Sequence, residues 1–498
     1  MRKLVLGTAV ALSAVTAGAA PAPWLEIKSG HFTVVTNAGE KSGRKVAWQF
    51  EQIRAALLQV WPWAKADSGR PFVIFAVRDE ATLKTLGPQY WEGKRYRPGS
   101  FWTTGRDRVY VALRTDLPEP DDVGENPYRS AFWCYASAVF TRSFPQRLPA
   151  WYARGVADLM SNTIVREKEL HVGRPIRGHL EVMRQQRAVP LGEFLTADER
   201  SRWLTQEVEA VAFEAQAWAL VHYLMFGDKG THSGKMNLFG RMLAEGQDAE
   251  VARREAFGDM KPYFDEMRAY VQRNLFSYVR IAVSTATRLE SYATRALPPG
   301  ESAAVRGEML AAMNRPTEAR AFAAEAAKAD ASLPGPWEIE AELLERENQR
   351  DQAKAALAKA AGAGSQRAHV YLRLAQLEWA PNADKALNEK LAARLEKARA
   401  LEPTAANAHS FLAEVRLALG QNDEALELAK RAVELEPAES YHRLSLAHAL
   451  WKTGRAQDAA RIAETALKAA SSEHERRRAQ EFLDFLARAA KAQPPLGS

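Results

Sequence analysis

The feature that most restricts how this chain can fold is a 34-residue period in its C-terminal half. Leu412-Ala413, Gly420, Ala425 and Ala432 recur as Leu446-Ala447, Gly454, Ala459 and Ala466, and Pro403 precedes Pro437 by the same interval. Earlier, Leu310, Ala319 and Ala326 recur as Leu344, Ala353 and Ala360. A unit of this length holds two helices and a turn, and it cannot bury its apolar face without a neighbour. Alanine and glycine at the recurring positions let paired helices approach closely, and proline ends a unit because it cannot continue a helix. The spacing therefore predicts an all-α solenoid of about five units over residues 300–470. The unit from about His369 to Pro403 departs from the period by an insertion around Pro381-Asn382, and a polar capping helix and tail follow over 471–498.

In period and small-residue positions this half resembles tetratricopeptide (TPR) repeats. The resemblance implies a groove that receives a helix or tail of a protein or peptide partner. Because repeat units contact mainly their neighbours, a piece starting near Pro299 is expected to be helical and to melt cooperatively.

At the other end, Met1-Arg2-Lys3, an apolar run from Leu4 to about Val15 and the small residues Ala17-Gly18-Ala19 read as a secretory signal peptide over 1–19. The expectation is a soluble, exported chain, periplasmic or extracellular. Removing Arg2 and Lys3 lowers the formal charge from +7 to +5. The 68 basic residues are dispersed among 61 acidic ones, so no stripe suited to nucleic acid stands out. The one cysteine, Cys134, leaves no lipid-bearing cysteine after the signal and no internal disulfide, and no other segment has the length of a membrane span.

From Trp24 to Thr36 two alternating runs flank Ser29-Gly30 and predict a pair of strands. A helix is expected over 41–60, with Val46, Phe50, Ile53, Leu57 and Val60 on one face. A buried strand over 71–77, a short helix over 79–86 and strands over 100–104 and 109–114 follow. The centre of this half is Asn126 to Asn162. An apolar helix from about Tyr128 to Arg142 is broken by Phe144-Pro145 and Leu148-Pro149, and a second begins near Trp151.

Leu148-Pro149-Ala150-Trp151-Tyr152-Ala153-Arg154-Gly155-Val156-Ala157-Asp158 resembles the second zinc-site helix of gluzincin-type (peptidase-MA-like) metallopeptidase domains of secreted bacterial proteins. Phe213 to Leu224 is similar to a further helix of that family. The resemblance covers about 24–281 and implies an α+β domain whose first helix would carry His-Glu-x-x-His and whose second would carry a glutamate ligand. On that frame Trp133 and Ser137 stand at the histidine positions, Cys134 at the general base and Arg154 at the carboxylate ligand. A catalytic zinc needs three His, Asp, Glu or Cys ligands, and a fixed guanidinium repels a divalent cation. The resemblance thus implies a degenerate site with no metal and no cofactor.

Other constellations read more simply as structure. His222 lies on an apolar helix and is expected to be a hydrogen-bonded core residue. Cys134, among Phe132, Trp133 and Tyr135, is expected to be a buried small side chain. His171 and His179, near Glu167 and Glu169, are weighed as a displaced metal site against exposed loop residues. Tyr90, Trp91 and Arg95, with Trp102, are candidate binding residues beside the cleft, or rings packed on the sheet. Together these features predict an exported, non-catalytic pseudo-metallopeptidase with TPR repeats that binds proteins or peptides as a scaffold. The alternatives are an active metal-dependent hydrolase with rearranged ligands, or an N-terminal half that only orients the solenoid in a larger assembly. Elemental analysis of the purified chain is expected to find no stoichiometric zinc. About one zinc per chain, retained through weak chelation, would overturn the inactive reading.

Overall fold

Alternating and continuous apolar runs place the N-terminal strands as expected in the computed structural model, which describes residues 23–65, 69–93, 97–121, 124–185, 188–285, 288–380 and 382–492. The signal-peptide reading, Arg95, Pro381 and the last tail residues lie outside the described residues. Strands β1 (Leu25–Lys28), β2 (Phe32–Thr36), β3 (Phe72–Val77), β4 (Ser100–Thr104) and β5 (Val109–Arg114) precede the short β6 (Ile164–Val165), β7 (Glu169–Val172), β8 (Val279–Ala282) and β9 (Ala293–Ala296). One sheet runs β4-β5-β3-β2-β1-β9, with β2, β3 and β5 parallel and β1, β4 and β9 antiparallel to their neighbours. The strands β6-β7-β8 form a smaller sheet. The main sheet therefore takes its last strand from residues beyond 281, the boundary expected from sequence, because β9 pairs with β1 over Leu25–Ala296 to Lys28–Ala293.

Helices α1 (Glu40–Val60), α2 (Glu80–Leu86), α3 (Arg129–Ser143) and α4 (Ala150–Ser161) follow the predicted order. The expected face of α1 buries Val46, Phe50, Ile53 and Leu57 in the main core with Phe32, Phe72, Phe132 and Tyr135, while Val60 is only partly buried. Asp79 caps α2 by accepting from the Thr82 amide at 2.8 Å. Strand side chains alternate between faces, so Val73, Phe75, Tyr110 and Ala112 point away from α1 into a second core with Leu83, Leu86, Trp91 and Phe101.

From Pro299 onward the chain is an array of five antiparallel helix pairs. They are Pro299–Ala312 with Pro316–Ala329, Gly335–Arg346 with Arg350–Gly362, Ala368–Glu378 with Lys385–Leu401, Ala406–Ala418 with Asn422–Leu435, and Ser440–Lys452 with Ala456–Ala469. The helix Glu473–Ala492 closes it, with Phe482 and Leu486 in the core of the last pairs. The recurring Ala319, Ala326, Ala353, Ala360, Ala425, Ala432, Ala459 and Ala466 are all 0% exposed, so the period marks helix contacts. The turn between the helices of a pair needs a left-handed residue: Gly420 (φ 78°) and Gly454 (φ 82°) supply it late in the array. Asn314 (φ 58°) and Asn348 (φ 59°) hold the same slot in the first two pairs, which is why the period is fainter there.

The two halves share a core. Leu297, Met309 and Ala312 close the outer face of the sheet, so the first repeat helix belongs to both bodies and a cut near Pro299 would expose them. The β4–β5 turn reaches into the groove lined by the first helices of the first three pairs. There Arg106 Nε lies 3.0 Å from both Glu342 and Glu345, Arg108 Nη1 lies 3.4 Å from Glu308, and the Tyr110 hydroxyl donates to Glu308 at 2.9 Å. Arg367 donates through Nε to Asp107 Oδ2 at 2.9 Å and makes a second bond to Oδ1. Glu338 lies 3.6 Å from Arg367 and accepts from the Ser365 hydroxyl at 2.5 Å. The void left is about 20 Å3, room for roughly one water. Burial by itself would raise the Asp107 carboxyl, but Arg367 and Arg108 hold it well below the ordinary carboxylate range. Burial pushes the Glu338 carboxyl up in spite of Arg367, since three carboxylates share the charge of two guanidinium groups.

A second contact joins the end of α3 to the last repeats. Arg142 binds Glu436 at 2.7 Å and the Leu435 carbonyl at 2.9 Å, and Arg443 donates to the Pro145 carbonyl at 2.6 Å. Removing one partner of a buried pair leaves the other charge uncompensated. Asp107→Ala is therefore expected to lower unfolding stability by about 3–5 kcal/mol in urea titrations. Asp107→Leu with Arg367→Met is expected to recover most of that loss; a double variant as unstable as the single one would contradict this account.

Candidate functional site

Where the cleft is expected, α4 of the α3–α4 pair makes a close helix approach. Gly155 faces the helix Glu207–Phe226, where a β-carbon would stand 2.4 Å from the Ala217 carbonyl oxygen and 2.6 Å from a Val221 methyl. That approach sets Arg154 against Glu214, with which it forms an ion pair. Asp158, one turn further along α4, is not the partner of Arg154 but binds His179 Nε2 at 3.2 Å. Arg154 and Glu214 are half-buried, whereas the Asp158 side chain is 8% exposed. Burial and the nearby Asp158 raise the Glu214 carboxyl above its ordinary value, and Arg154 only partly offsets this. Arg154 is thus held by Glu214, and Asp158 by its hydrogen bond with His179.

The remaining positions of the expected metal frame are dispersed. Trp133 stacks on Trp102 of β4, with ring centroids 5.8 Å apart and 21° between planes. Cys134 turns into the main core, where burial pushes its thiol far above the ordinary range and leaves no thiolate nucleophile. Ser137 is half-buried, and its carbonyl accepts from the Thr141 hydroxyl at 2.8 Å. Among the described residues no group of three or more His, Cys, Asp or Glu side chains converges as a metal site. The weighed His171–His179 site is not assembled: His171 pairs with Glu169 at 2.7 Å on β7, and His179 with Asp158.

The binding residues expected beside the cleft fall on opposite sides of the sheet. Tyr90 packs on Phe101 at 4.6 Å, and Trp91 is buried with its Nε1 donating to Glu80 at 3.0 Å. Phe101 and Trp102 are strand neighbours and so face opposite ways, which puts Tyr90 and Trp91 in the second core and Trp102 with α3. Burial raises the Tyr90 hydroxyl. Of the described residues among these, only Trp102 lies on the face of the sheet that carries α3.

Two arrangements resemble catalytic relays without access to solvent. His222 is 0% exposed, shares a hydrogen bond with the Gly173 carbonyl at 2.8 Å through Nε2, and meets the Tyr270 hydroxyl at 3.0 Å through Nδ1. A carbonyl only accepts, so Nε2 carries the proton and the ring is neutral; burial lowers its pKa to about 4. Ser410, His442 and Glu436 form a chain of 2.8 Å and 3.2 Å contacts, but Ser410 is 0% exposed and the chain ends on Arg142 at the junction of the halves. The repeat groove expected to receive a partner is filled over its first three pairs by Arg106, Asp107 and Arg108 of the same chain. Glu214 and the groove contacts carried no signal in the sequence, since their partners lie 60 and 260 positions away.

Two outcomes follow from this geometry. Gly155→Ala gains about 1 kcal/mol of helix propensity, but its methyl meets a backbone carbonyl, and overpacking of this kind costs about 1–3 kcal/mol. A lower melting temperature is expected. His222 takes a proton near pH 6.5 when unfolded but only near 4 when folded, so stability is level above about 6.5 and falls as the pH drops to 4. The loss from this residue is about 3 kcal/mol. His222→Asn should shrink the pH-dependent part by that amount, whatever its own effect at pH 7, in urea titrations run across the window.

No protein-family model and no curated protein matches the chain. Among solved structures it is similar to YrrB, described as a TPR protein with an unusual peptide-binding site, at 16% identity over 36% of this chain and 91% of that one, with a TM-score of 0.30. A thermophilic TPR protein of Thermus thermophilus is 21% identical over 37% of this chain and 98% of that one, with a TM-score of 0.28. Pseudomonas aeruginosa pilF is 17% identical over 39% and 85%, with a TM-score of 0.31. The description of the C-terminal half as a helical-repeat array rests on its own helix pairs and their 34-residue register.

Proposed function

We propose that this chain is an exported, non-catalytic scaffold that binds an extended peptide in a degenerate metallopeptidase-like cleft and carries a TPR solenoid fastened to it. The observation that carries the reading is the Trp102–Trp133 stack beside β4, an edge strand among the described residues, at a position where the family resemblance would place a zinc ligand. A free sheet edge binds an added strand through backbone hydrogen bonds and needs no metal, and an adjacent aromatic pair provides apolar area for alternate side chains. Arg154 held by Glu214 fits the same reading, because a cation in the ligand position disfavours a divalent ion. No transmembrane helix is found among the described residues.

Selection of random peptides on the immobilised full-length chain provides the test. Enriched extended, apolar-alternating peptides are expected to bind with micromolar affinity, and Trp102→Ala and Trp133→Ala, each assayed below its own melting temperature, should weaken them at least tenfold. Enrichment of peptides indifferent to both tryptophans would overturn the cleft reading.

A further inference from the structure

The second contact between the halves leaves a cleft of about 720 Å3 that the peptide-binding reading does not use. One wall comes from the segment after α3 and from the loop before the helix Arg202–Thr205, and contributes Arg147 and Arg200. The opposite wall comes from the last helix pair and the start of the closing helix, and contributes Arg443, Lys468 and Arg476. Against these five cations the lining holds three carboxylates, Asp198, Glu199 and Glu245.

The carboxylates are partly committed elsewhere. Asp198 accepts from the backbone amides of Arg200 and Ser201 at 3.0 and 3.1 Å, and Glu199 pairs with Arg147 at 3.0 Å. Arg476 pairs with Glu473 at 2.9 Å. Arg443 is different: its donors reach only the Thr465 carbonyl at 3.0 Å and the Pro145 carbonyl at 2.6 Å, and among the described residues no carboxylate pairs with it. Burial is what acts on its guanidinium, lowering its pKa with no carboxylate to offset the effect. A half-buried cation without a counter-ion is unfavourable unless an anion completes it. Arg200 and Lys468, on facing walls, likewise hold no ion pair among the described residues, and both are exposed.

We propose that this junction cleft binds an acidic peptide segment, whose carboxylates meet Arg443 at the base and Arg200 and Lys468 on the two walls. The cleft is large for a single phosphate, since sites of about 300–1,000 Å3 suit larger ligands. Its cations are single charges spread over both halves and interspersed with carboxylates, which suits charges spaced along a peptide better than one compact anion. Such a ligand would tie the last repeats to the N-terminal half. The junction cleft is separate from the proposed strand-binding cleft at β4 and does not need it.

Fluorescence anisotropy of labelled hexaglutamate, titrated with the full-length chain at low and at physiological salt, tests it. Hexaglutamate is expected to bind and hexaglutamine not. Arg200→Glu with Lys468→Glu should weaken binding at least tenfold without shifting the melting temperature, because neither side chain holds the junction together. A matched reversal at exposed solenoid positions, Lys328→Glu with Lys397→Glu, should change it less than twofold. Equal weakening by the two pairs would show attraction to overall charge and overturn the site. Displacement by inorganic phosphate at concentrations equal to the peptide's would reassign the cleft to a small anion and overturn the peptide assignment. Failure of hexaglutamate to bind would overturn it outright and leave the β4 cleft untouched.

Discussion

The ion pair between Asp107 and Arg367 is the constraint on which the arrangement of the two halves depends. Asp107 sits at the tip of the β4–β5 turn and Arg367 at the entry to the third repeat pair, and both are nearly buried. A buried guanidinium keeps its charge, so wherever Arg367 lies it requires an anion, and the turn delivers one. Around that pair Arg106, Arg108, Glu308, Glu338, Glu342 and Glu345 close the groove of the first three repeat pairs. The solenoid cannot swing about its first helix, because Met309 and Ala312 of that helix also cover the sheet. The Arg142–Glu436 contact fixes its far end. The groove of the first three pairs is consequently closed to a partner by the chain's own β4–β5 turn.

Around α3 and α4 the polar and aromatic groups are partnered within the chain. Arg154 is answered by Glu214 and Asp158 by His179, while Trp133 lies on Trp102. The Cys134 thiol and the His222 ring are buried, the first protonated and the second neutral. Gly155 is what permits this packing, since any side chain there would push α4 away from the helix that carries Glu214. Beside this packing lie the Trp102–Trp133 stack and β4, which is an edge strand of the main sheet among the described residues.

The sequence determined what depends on short-range pattern. Strand alternation, the amphipathic face of α1, the breaks at Pro145 and Pro149 and the 34-residue spacing of small residues each report a local choice that burial then enforces, and all of them appear at the expected positions. The expectation for His222 also rested on local context, an apolar helix, and its hydrogen bonds meet it. Where a local rule allowed two answers, the pattern faded. The left-handed turn accepts Asn as well as Gly, so Asn314 and Asn348 removed the glycine from the first units, and only Leu310, Ala319, Ala326 and their repeats marked the register there.

Tertiary structure alone decided what depends on two distant segments meeting. Nothing near Tyr90 and Trp91 could say which face of the sheet they would cover, because that follows from the register of β4 against β5 and from the return of the helix Pro299–Ala312 to the outer face. The choice of Glu214 rather than Asp158 for Arg154 follows from the helix approach at Gly155, and the filling of the repeat groove by Arg106–Arg108 follows from the path of the solenoid. Charge pairing is set by distance in space, with no periodic trace along the chain. The local pattern therefore specified the helices and strands, and the long-range packing assigned each charge its partner.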